Sequence, residues 1–91
     1  MTTLKAERRD MRTKAKKLRR EGFVTGSVFG KNIDGSIPLQ FPASEIEKIL
    51  KDKNKGSEII LELDGKPMDA LIKEISFNSM KHEVEEIDFQ A

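Results

Sequence analysis

The chain has 91 residues, of which 36% are hydrophobic and 36% are charged, and this length suits one folded domain but not two independent hydrophobic cores. It contains no cysteine, which excludes disulfides, thiol nucleophiles and thiolate metal sites. No apolar run approaches the roughly 20 residues that cross a bilayer, and the amino end lacks a signal-peptide core. We therefore expect a single soluble, cytoplasmic domain over residues 1–91, with no membrane partner.

Basic and acidic residues are segregated along the chain. Residues 1–20 carry nine basic and two acidic residues, a net charge of +7, whereas residues 21–91 carry eight and fourteen, a net charge of −6. A cationic segment of this density repels itself unless an anion neutralises it, and a nucleic-acid backbone has the matching charge density. Charge alone leaves three interpretations open: RNA binding, a solvated tail, or a segment that folds against the acidic residues Glu83, Glu85, Glu86 and Asp88.

The amino-terminal residues predict one strand and one helix. Weak alternation of apolar and polar residues predicts a strand over residues 3–8, and residues 9–13 follow as a loop. Thr13 is the predicted cap of a helix that continues to Glu21, and Gly22 ends that helix.

This first helix is predicted to have two neighbouring faces. A narrow apolar stripe docks on the core and consists of Met11, Ala15 and Leu18. A basic face remains free to bind and consists of Arg12, Lys16, Arg19 and Arg20.

Two strands and a second helix are predicted next. The strands cover residues 23–29 and 37–41, with a turn over residues 30–35 between them and Pro42 at the end. The helix is predicted from a capping-box pair, Ser44 and Glu47, and from an apolar face made by Ile46, Ile49 and Leu50. The residues that end this helix are 54–56.

The carboxy-terminal part predicts three strands. A strand over residues 57–63 leads to Asp64-Gly65, the strongest hairpin signal in the chain. The returning strand covers residues 68–77, and its apolar positions change parity between Ile72 and Ile75, which indicates a bulge or burial on both faces. The remaining segments are a loop over residues 78–81 and a strand over residues 84–89.

Together these elements predict a mainly β fold of five or six strands with two helices, arranged as a small, largely antiparallel barrel or curved sheet. The five phenylalanines are dispersed over separate predicted strands, which favours packing in the core over an aromatic stacking platform. We expect at least four of the following five residues in the core: Phe23, Phe29, Phe41, Phe77 and Phe89.

The order of several motifs resembles the bacterial large-subunit ribosomal protein twenty-five family, also called the Ctc general-stress family. The motifs are a basic stretch with Arg9, then Lys16-Lys17-Leu18-Arg19 before Gly22, residues 24–30, the hairpin at 64–66, residues 71–75 and Ile87-Asp88-Phe89. The resemblance implies a small, largely antiparallel six-stranded β-barrel. It also implies that the protein binds 5S ribosomal RNA in the large ribosomal subunit, contacts other subunit proteins there, catalyses no reaction and is a monomer when free.

The resemblance also implies which residues bind RNA. Arg9 in the loop and Lys16 and Arg19 on the helix position the RNA, and Asp88 accepts a hydrogen bond from a base amino group or a ribose hydroxyl. Asp88 has an alternative role as a turn cap or as the partner of a cation. The complete set of predicted RNA-binding residues is Arg9, Arg12, Lys14, Lys16, Lys17, Arg19, Arg20, Phe29 and Asp88.

Three positions depart from the family pattern. The family usually has proline, tyrosine and histidine where this chain has Thr25, Phe29 and Glu86. A carboxylate at position 86 repels phosphate if it faces the RNA. Glu86 therefore favours, as one alternative function, a general-stress module of the same fold with weakened RNA binding. The charge pattern also permits a protein-interaction module whose basic segment binds an acidic partner.

No pattern in the sequence indicates catalysis, a metal site or a cofactor. His82 lies in a predicted loop without a recognised ligand motif, so we interpret it as a surface residue. The glycine spacing lacks the context of a phosphate-binding loop. We expect a protein that is not an enzyme.

Overall fold

A computed structural model describes residues 2–31 and 33–91 of the chain. These described residues form six strands and two helices, in the order β1 (Thr3–Arg8), α1 (Ala15–Arg20), β2 (Phe23–Gly30), β3 (Ile33–Pro42), α2 (Ala43–Leu50), β4 (Glu58–Leu63), β5 (Lys66–Asn78) and β6 (Glu83–Gln90). The predicted mainly β fold with two helices is confirmed.

The strands close into a barrel in the order β1-β3-β2-β6-β5-β4. Four neighbouring pairs are antiparallel, and two pairs, β1 with β4 and β2 with β6, are parallel. Closure gives each strand a hydrogen-bonded neighbour on both sides, so the described strands leave no open sheet edge. The result is a rigid support for side chains on the outer surface.

The core fills the inside of the barrel with alternate residues of each strand. In β4 the buried positions are Ile59, Leu61 and Leu63, as period-two burial requires. Phe41 and Phe89 are fully buried and pack edge to face, with ring centroids 5.6 Å apart. Of the other three phenylalanines, Phe23 and Phe29 are half-buried and Phe77 is 63% exposed. The prediction that at least four lie in the core is therefore wrong.

Two sequence signals in the carboxy-terminal half are confirmed. Asp64 and Gly65 have φ of 54° and 77°, the positive values that a tight hairpin turn between right-twisted strands requires. The pairing of β5 with β6 shifts register between Ile72 and Glu74. This bulge explains the change of parity, because it lets Ile72 and Ile75 both pack toward the core. A second shift at Ser76 and Phe77 lies where Phe77 becomes exposed.

The first helix begins later than predicted. Its cap residue is Lys14, which makes no side-chain capping bond, and the Thr13 hydroxyl instead donates a hydrogen bond to Asp10 Oδ2 at 3.2 Å. Met11 therefore precedes the helix and is 66% exposed, so the predicted cap and the predicted place of Met11 in the apolar stripe are both wrong. Leu18 is buried as predicted, and Gly22 follows the helix with φ of 92°.

The second helix keeps its predicted apolar face but not its predicted ends. Ile46 and Ile49 are buried and Leu50 packs against the core. The capping box is wrong because α2 begins at Ala43, with Pro42 as its cap residue and no side-chain capping bond. The helix ends at Leu50, before residues 54–56.

The predicted turn over residues 30–35 is largely wrong, because β2 includes Gly30 and β3 begins at Ile33. Asn32 lies outside the described residues. The predicted end of the strand at Pro42 is confirmed.

Candidate nucleic-acid interface

Most cations of residues 1–20 are not neutralised by the protein. Arg8 pairs with Asp64 at 2.9 Å and Arg12 pairs with Asp10 at 3.2 Å. Within the described part of the chain, no ion pair involves the other cations of this segment: Lys5, Arg9, Lys14, Lys16, Lys17, Arg19 and Arg20. These unpaired charges make the segment a strong attractor of anions.

Five of the predicted RNA-binding residues surround one depression. It lies where the loop after β1 meets α1 and has a volume of about 320 Å³. Its lining residues are Arg12, Thr13, Lys14, Lys16, Lys17 and Arg20. Since no carboxylate is among them, the depression is suited to phosphate groups.

Arg19 lines a second, mixed groove that shares Lys16 and Arg20 with the depression. This groove has a volume of about 460 Å³ and is lined by Lys16, Arg19, Arg20, Asn78, Lys81, Glu83 and Glu85. Glu85 accepts a hydrogen bond from Asn78 Nδ2 at 3.0 Å, and it forms no ion pair with a described residue of α1. The interpretation in which the basic segment folds against the acidic residues therefore gains no ion pair among the described residues.

A row of contacts across three strands connects Arg9 to Asp88 on the outer face of the barrel. The Arg9 backbone N–H donates to Pro38 O at 3.0 Å, and Pro38 lies opposite Ser27 in the pairing of β3 with β2. Ser27 lies beside Asp88 in the pairing of β2 with β6, and its hydroxyl donates to Asp88 Oδ1 at 3.0 Å. Neighbouring strands are about 5 Å apart, so the row brings these two predicted site residues to one surface of about 15 Å.

Asp88 is half-buried and held by the serine. Among the described residues Asp88 neither pairs with a cation nor accepts a turn-capping bond. Its structural role is instead to accept a hydrogen bond that links β2 to β6. Because Ser27 bonds only Oδ1, the carboxylate retains acceptor capacity for a second donor.

Arg9 is the predicted site residue with the least satisfied side chain. The residue is half-buried, and its Nε is buried without a hydrogen-bond partner in the described structure. A buried unsatisfied donor of this kind costs about 1–3 kcal/mol, more when it is charged. Because the nitrogen itself is buried, a ligand acceptor reaches it only if the Arg9 side chain turns outward.

The positions that depart from the family pattern lie on or beside this face. Phe29 is half-buried and has the outward parity of Ser27, two residues away on β2. Thr25 is 2% exposed and donates its hydroxyl to Glu85 O at 3.3 Å, so it faces packed protein. Glu86 is exposed and pairs with Thr25 across the strands.

Two residues that the sequence did not single out organise the loop after β1. Asp10 accepts hydrogen bonds from the Arg12 backbone N–H at 3.0 Å, from Arg12 Nε at 3.2 Å and from the Thr13 hydroxyl. Gln40 Oε1 accepts the Asp10 N–H at 3.3 Å. The spacing of an aspartate two residues before Arg12 is typical of an Asx turn and was the signal that could have identified Asp10. No comparable sequence signal marks Gln40.

The pKa of the Asp10 carboxyl lies below its ordinary value of 3.8, because it accepts the Arg12 backbone N–H and, next, the Arg12 side-chain N–H. A lowered pKa means that the bonds of the carboxylate favour the loop above pH 3.8 and are lost as the pH falls through the lowered pKa. In an NMR titration of the side-chain carboxyl carbon, we expect a midpoint below 3.8. Arg12→Ala should move the midpoint only part of the way back, because the backbone donor stays. A wild-type midpoint at or above 3.8 would contradict these bonds.

The described residues contain no membrane-spanning helix and no metal cluster. None of the helices is long and apolar enough to cross a membrane. No group of three or more histidine, aspartate or glutamate residues in residues 2–31 and 33–91 is arranged to hold a metal ion.

Ribosomal and general-stress proteins from several bacteria are similar to nearly the whole of this chain. Large ribosomal subunit protein bL25 of Bacillus pumilus is 32% identical across 99% of this chain, and the match covers 44% of that relative. General stress protein Ctc of Bacillus subtilis is 33% identical across 99% of the chain, which is 45% of the relative. For bL25 of Caldicellulosiruptor bescii the values are 36% identity, 91% of the chain and 42% of the relative.

The chain thus spans less than half of the length of these relatives. The model of the Ribosomal L25p family matches residues 4–89, from the first core residue of β1 to the last core residue of β6. This match includes the barrel, the cationic depression and the row from Arg9 to Asp88. The chain belongs to the Ribosomal L25p family.

Proposed function

We propose that this chain is a non-enzymatic RNA-binding component of the large ribosomal subunit and that its RNA is 5S ribosomal RNA. The observation that carries the proposal is the depression lined by five cations and no carboxylate. The family supports the same proposal, because relatives of this chain are named as large ribosomal subunit proteins. The proposed RNA-binding residues are Arg9, Arg12, Lys14, Lys16, Lys17, Arg19, Arg20, Phe29 and Asp88.

The cations of the depression supply most of the affinity in this proposal. Each phosphate that they neutralise releases condensed counterions, so log affinity falls with log salt at a slope of about −0.7 to −0.9 per phosphate. Four to six phosphate contacts give a slope of about −3 to −5. Such contacts fix the position of the RNA but do not select its sequence.

In this proposal the outer face of β2 and β6 determines which RNA is bound. An RNA internal loop with non-standard pairs has a distorted groove in which base edges and ribose hydroxyls can be reached from the shallow side. Asp88, with its free acceptor capacity, and the half-buried Arg9 lie at the two ends of the row on this face. Phe29 offers an apolar surface on the same side. Together they are suited to recognise one RNA shape beside the phosphates held by α1.

Within this proposal the chain acts as one domain and is a monomer until it meets the ribosome, where it contacts other subunit proteins. A general-stress module with weakened RNA binding is the second candidate. The name of the Bacillus subtilis relative and the exposed Glu86 beside the proposed RNA face favour it. An affinity for 5S RNA that rises strongly after Glu86→Gln would support this second candidate.

The experiment that tests the proposal is an NMR titration of the protein with a 5S RNA internal-loop fragment, competed by a DNA duplex of equal length. We expect the largest amide shifts in residues 9–20 and at residues 27, 29 and 88, with little displacement by the duplex. Equal displacement by the DNA would reduce the function to general binding of polyanions. Shifts confined to another surface would contradict the proposed interface.

Asp88→Asn separates charge from recognition at the proposed site. Asparagine retains Oδ1 as an acceptor for Ser27, so the barrel should keep its stability. Simple electrostatics predicts tighter binding to every RNA, because one negative charge is removed. We expect the opposite for the 5S fragment alone, a loss of about tenfold, because the carboxylate acceptor becomes an amide donor. Equal changes in affinity for the 5S fragment and for unrelated RNA hairpins would show that Asp88 does not contribute to recognition of 5S RNA.

A further inference from the structure

The loop between β1 and α1 is attached to the barrel at its base. The Arg9 N–H donates to Pro38 O at 3.0 Å, and the Asp10 N–H donates to Gln40 Oε1 at 3.3 Å. The Gln40 amide is itself fixed, because its Nε2 donates to Glu7 Oε2 at 3.1 Å. The first two residues of the loop are therefore placed by the strands beneath them.

The tip of the loop is closed by one residue. Asp10 Oδ1 accepts from the Arg12 N–H at 3.0 Å and from Arg12 Nε at 3.2 Å, and Asp10 Oδ2 accepts the Thr13 hydroxyl at 3.2 Å. The Thr13 N–H adds a backbone bond to Asp10 O at 3.1 Å. These four bonds fold residues 10–13 without any contribution from a ligand.

The ion pair does not remove Arg12 from the surface. Arg12 uses its Nε for Asp10, and its side chain remains 93% exposed. The terminal nitrogens of the guanidinium are therefore open to solvent at the edge of the depression, which Arg12 and Thr13 both line. A carboxylate at this place repels phosphate, so Asp10 favours RNA binding only if the order that it imposes outweighs its charge.

We propose that Asp10 is a positioning residue for RNA binding, whose carboxylate folds residues 10–13 in the free protein and thereby holds the cationic depression in its binding shape. The part of this inference that concerns RNA binding rests on the proposed function. Its physical basis is that a loop ordered in advance loses less conformational entropy when the RNA arrives. An acidic residue thus becomes necessary for the function of a cationic site.

The test compares three variants in binding to the 5S internal-loop fragment. Asp10→Ala removes the charge and every side-chain bond, whereas Asp10→Asn removes the charge but keeps an acceptor for the Arg12 N–H. Glu21→Ala is the matched control, since Glu21 is an exposed carboxylate after α1 whose side chain makes no hydrogen bond to a described residue. We expect Asp10→Ala to weaken binding about five- to tenfold, and Asp10→Asn and Glu21→Ala to bind as tightly as the wild type or slightly more tightly.

A second measurement needs no RNA and separates this inference from the proposed function. Backbone order parameters of residues 11–13 in the free protein should be those of a rigid segment in the wild type and in Asp10→Asn, and should fall in Asp10→Ala. Thermal unfolding of all three variants should stay close to the wild type, because Asp10 and Glu21 are both exposed and the bonds lost with Asp10 are confined to one loop. If Asp10→Ala binds RNA as tightly as Glu21→Ala, or leaves residues 11–13 rigid, Asp10 does not position the loop. A wild-type protein that ignores RNA while Asp10→Ala loosens the loop would overturn the proposed function instead.

Discussion

The triple variant Lys14→Ala, Lys17→Ala and Arg20→Ala should bind the 5S internal-loop fragment about 30- to 100-fold more weakly than the wild type. All three residues are exposed, line the depression and have no ion-pair partner among the described residues. Their charges are therefore available to phosphate, and losing two or three phosphate contacts lowers the steepness of the salt dependence by about 2. Fluorescence anisotropy at two salt concentrations measures both quantities.

The matched control removes the same charge elsewhere. Lys48→Ala, Lys51→Ala and Lys66→Ala alter α2, the residue after it and the start of β5, and none of these residues lines the depression. We expect a loss below about fivefold from the change in net charge alone, because screening weakens distant charges. If the two triple variants lose affinity equally, the RNA senses total charge and the depression has no special role.

Gly26→Ala should destabilise the barrel by about 3 kcal/mol or more, or prevent folding. A Cβ at Gly26 would overlap the backbone carbonyl of Ile87 and would also press on the ring of Phe41, 3.2 Å away. The backbone of β6 cannot yield without breaking its parallel pairing with β2. That pairing also places Ser27 beside Asp88, so the same substitution disturbs the proposed RNA face.

Gly35→Ala is the comparison for this prediction. Gly35 has φ of 74°, and no described atom lies within 4 Å of the position that a Cβ would take, so alanine meets backbone strain but no neighbour. The expected cost is about 1 kcal/mol. Urea denaturation of both variants measures the difference. Similar midpoints for the two variants would show that β2 and β6 are not packed as closely as described.

The basic segment is not a detachable arm, which changes how its function can be tested. Residues 3–8 form β1, which bonds both β3 and β4, and Leu4 is fully buried in the core. Deleting the first 20 residues therefore opens the barrel. Loss of RNA binding after such a deletion would not distinguish a missing site from a missing fold, whereas substitutions at exposed lysines do.

Local patterns in the sequence were sufficient for most of the fold. Alternation gave the bounds of β1 correctly, and Asp64-Gly65 marked its hairpin because that turn needs positive φ at both positions. The two parallel pairings were not predictable, since they join strands that are distant in the chain and leave no local signal. Helix starts were mispredicted where another contact competed, as when Thr13 bonded Asp10 instead of capping α1.

The cationic part of the candidate site could be predicted because unpaired lysines and arginines are visible as a charge run. Its supporting residues could not. Ser27 and Gln40 act through partners on other strands, and only the register of the strands brings those partners together. Burial of Arg9 Nε is likewise a property of the folded chain.

The most direct test of the account is the affinity of the wild-type protein for the 5S internal-loop fragment at two salt concentrations, measured beside an RNA duplex of equal length and charge. We predict preferential binding to the fragment at both concentrations, with log affinity falling at a slope of about −3 to −5 against log salt. Absence of binding at low salt, or equal affinity for the plain duplex, would contradict the claim that this barrel presents its cations to 5S RNA.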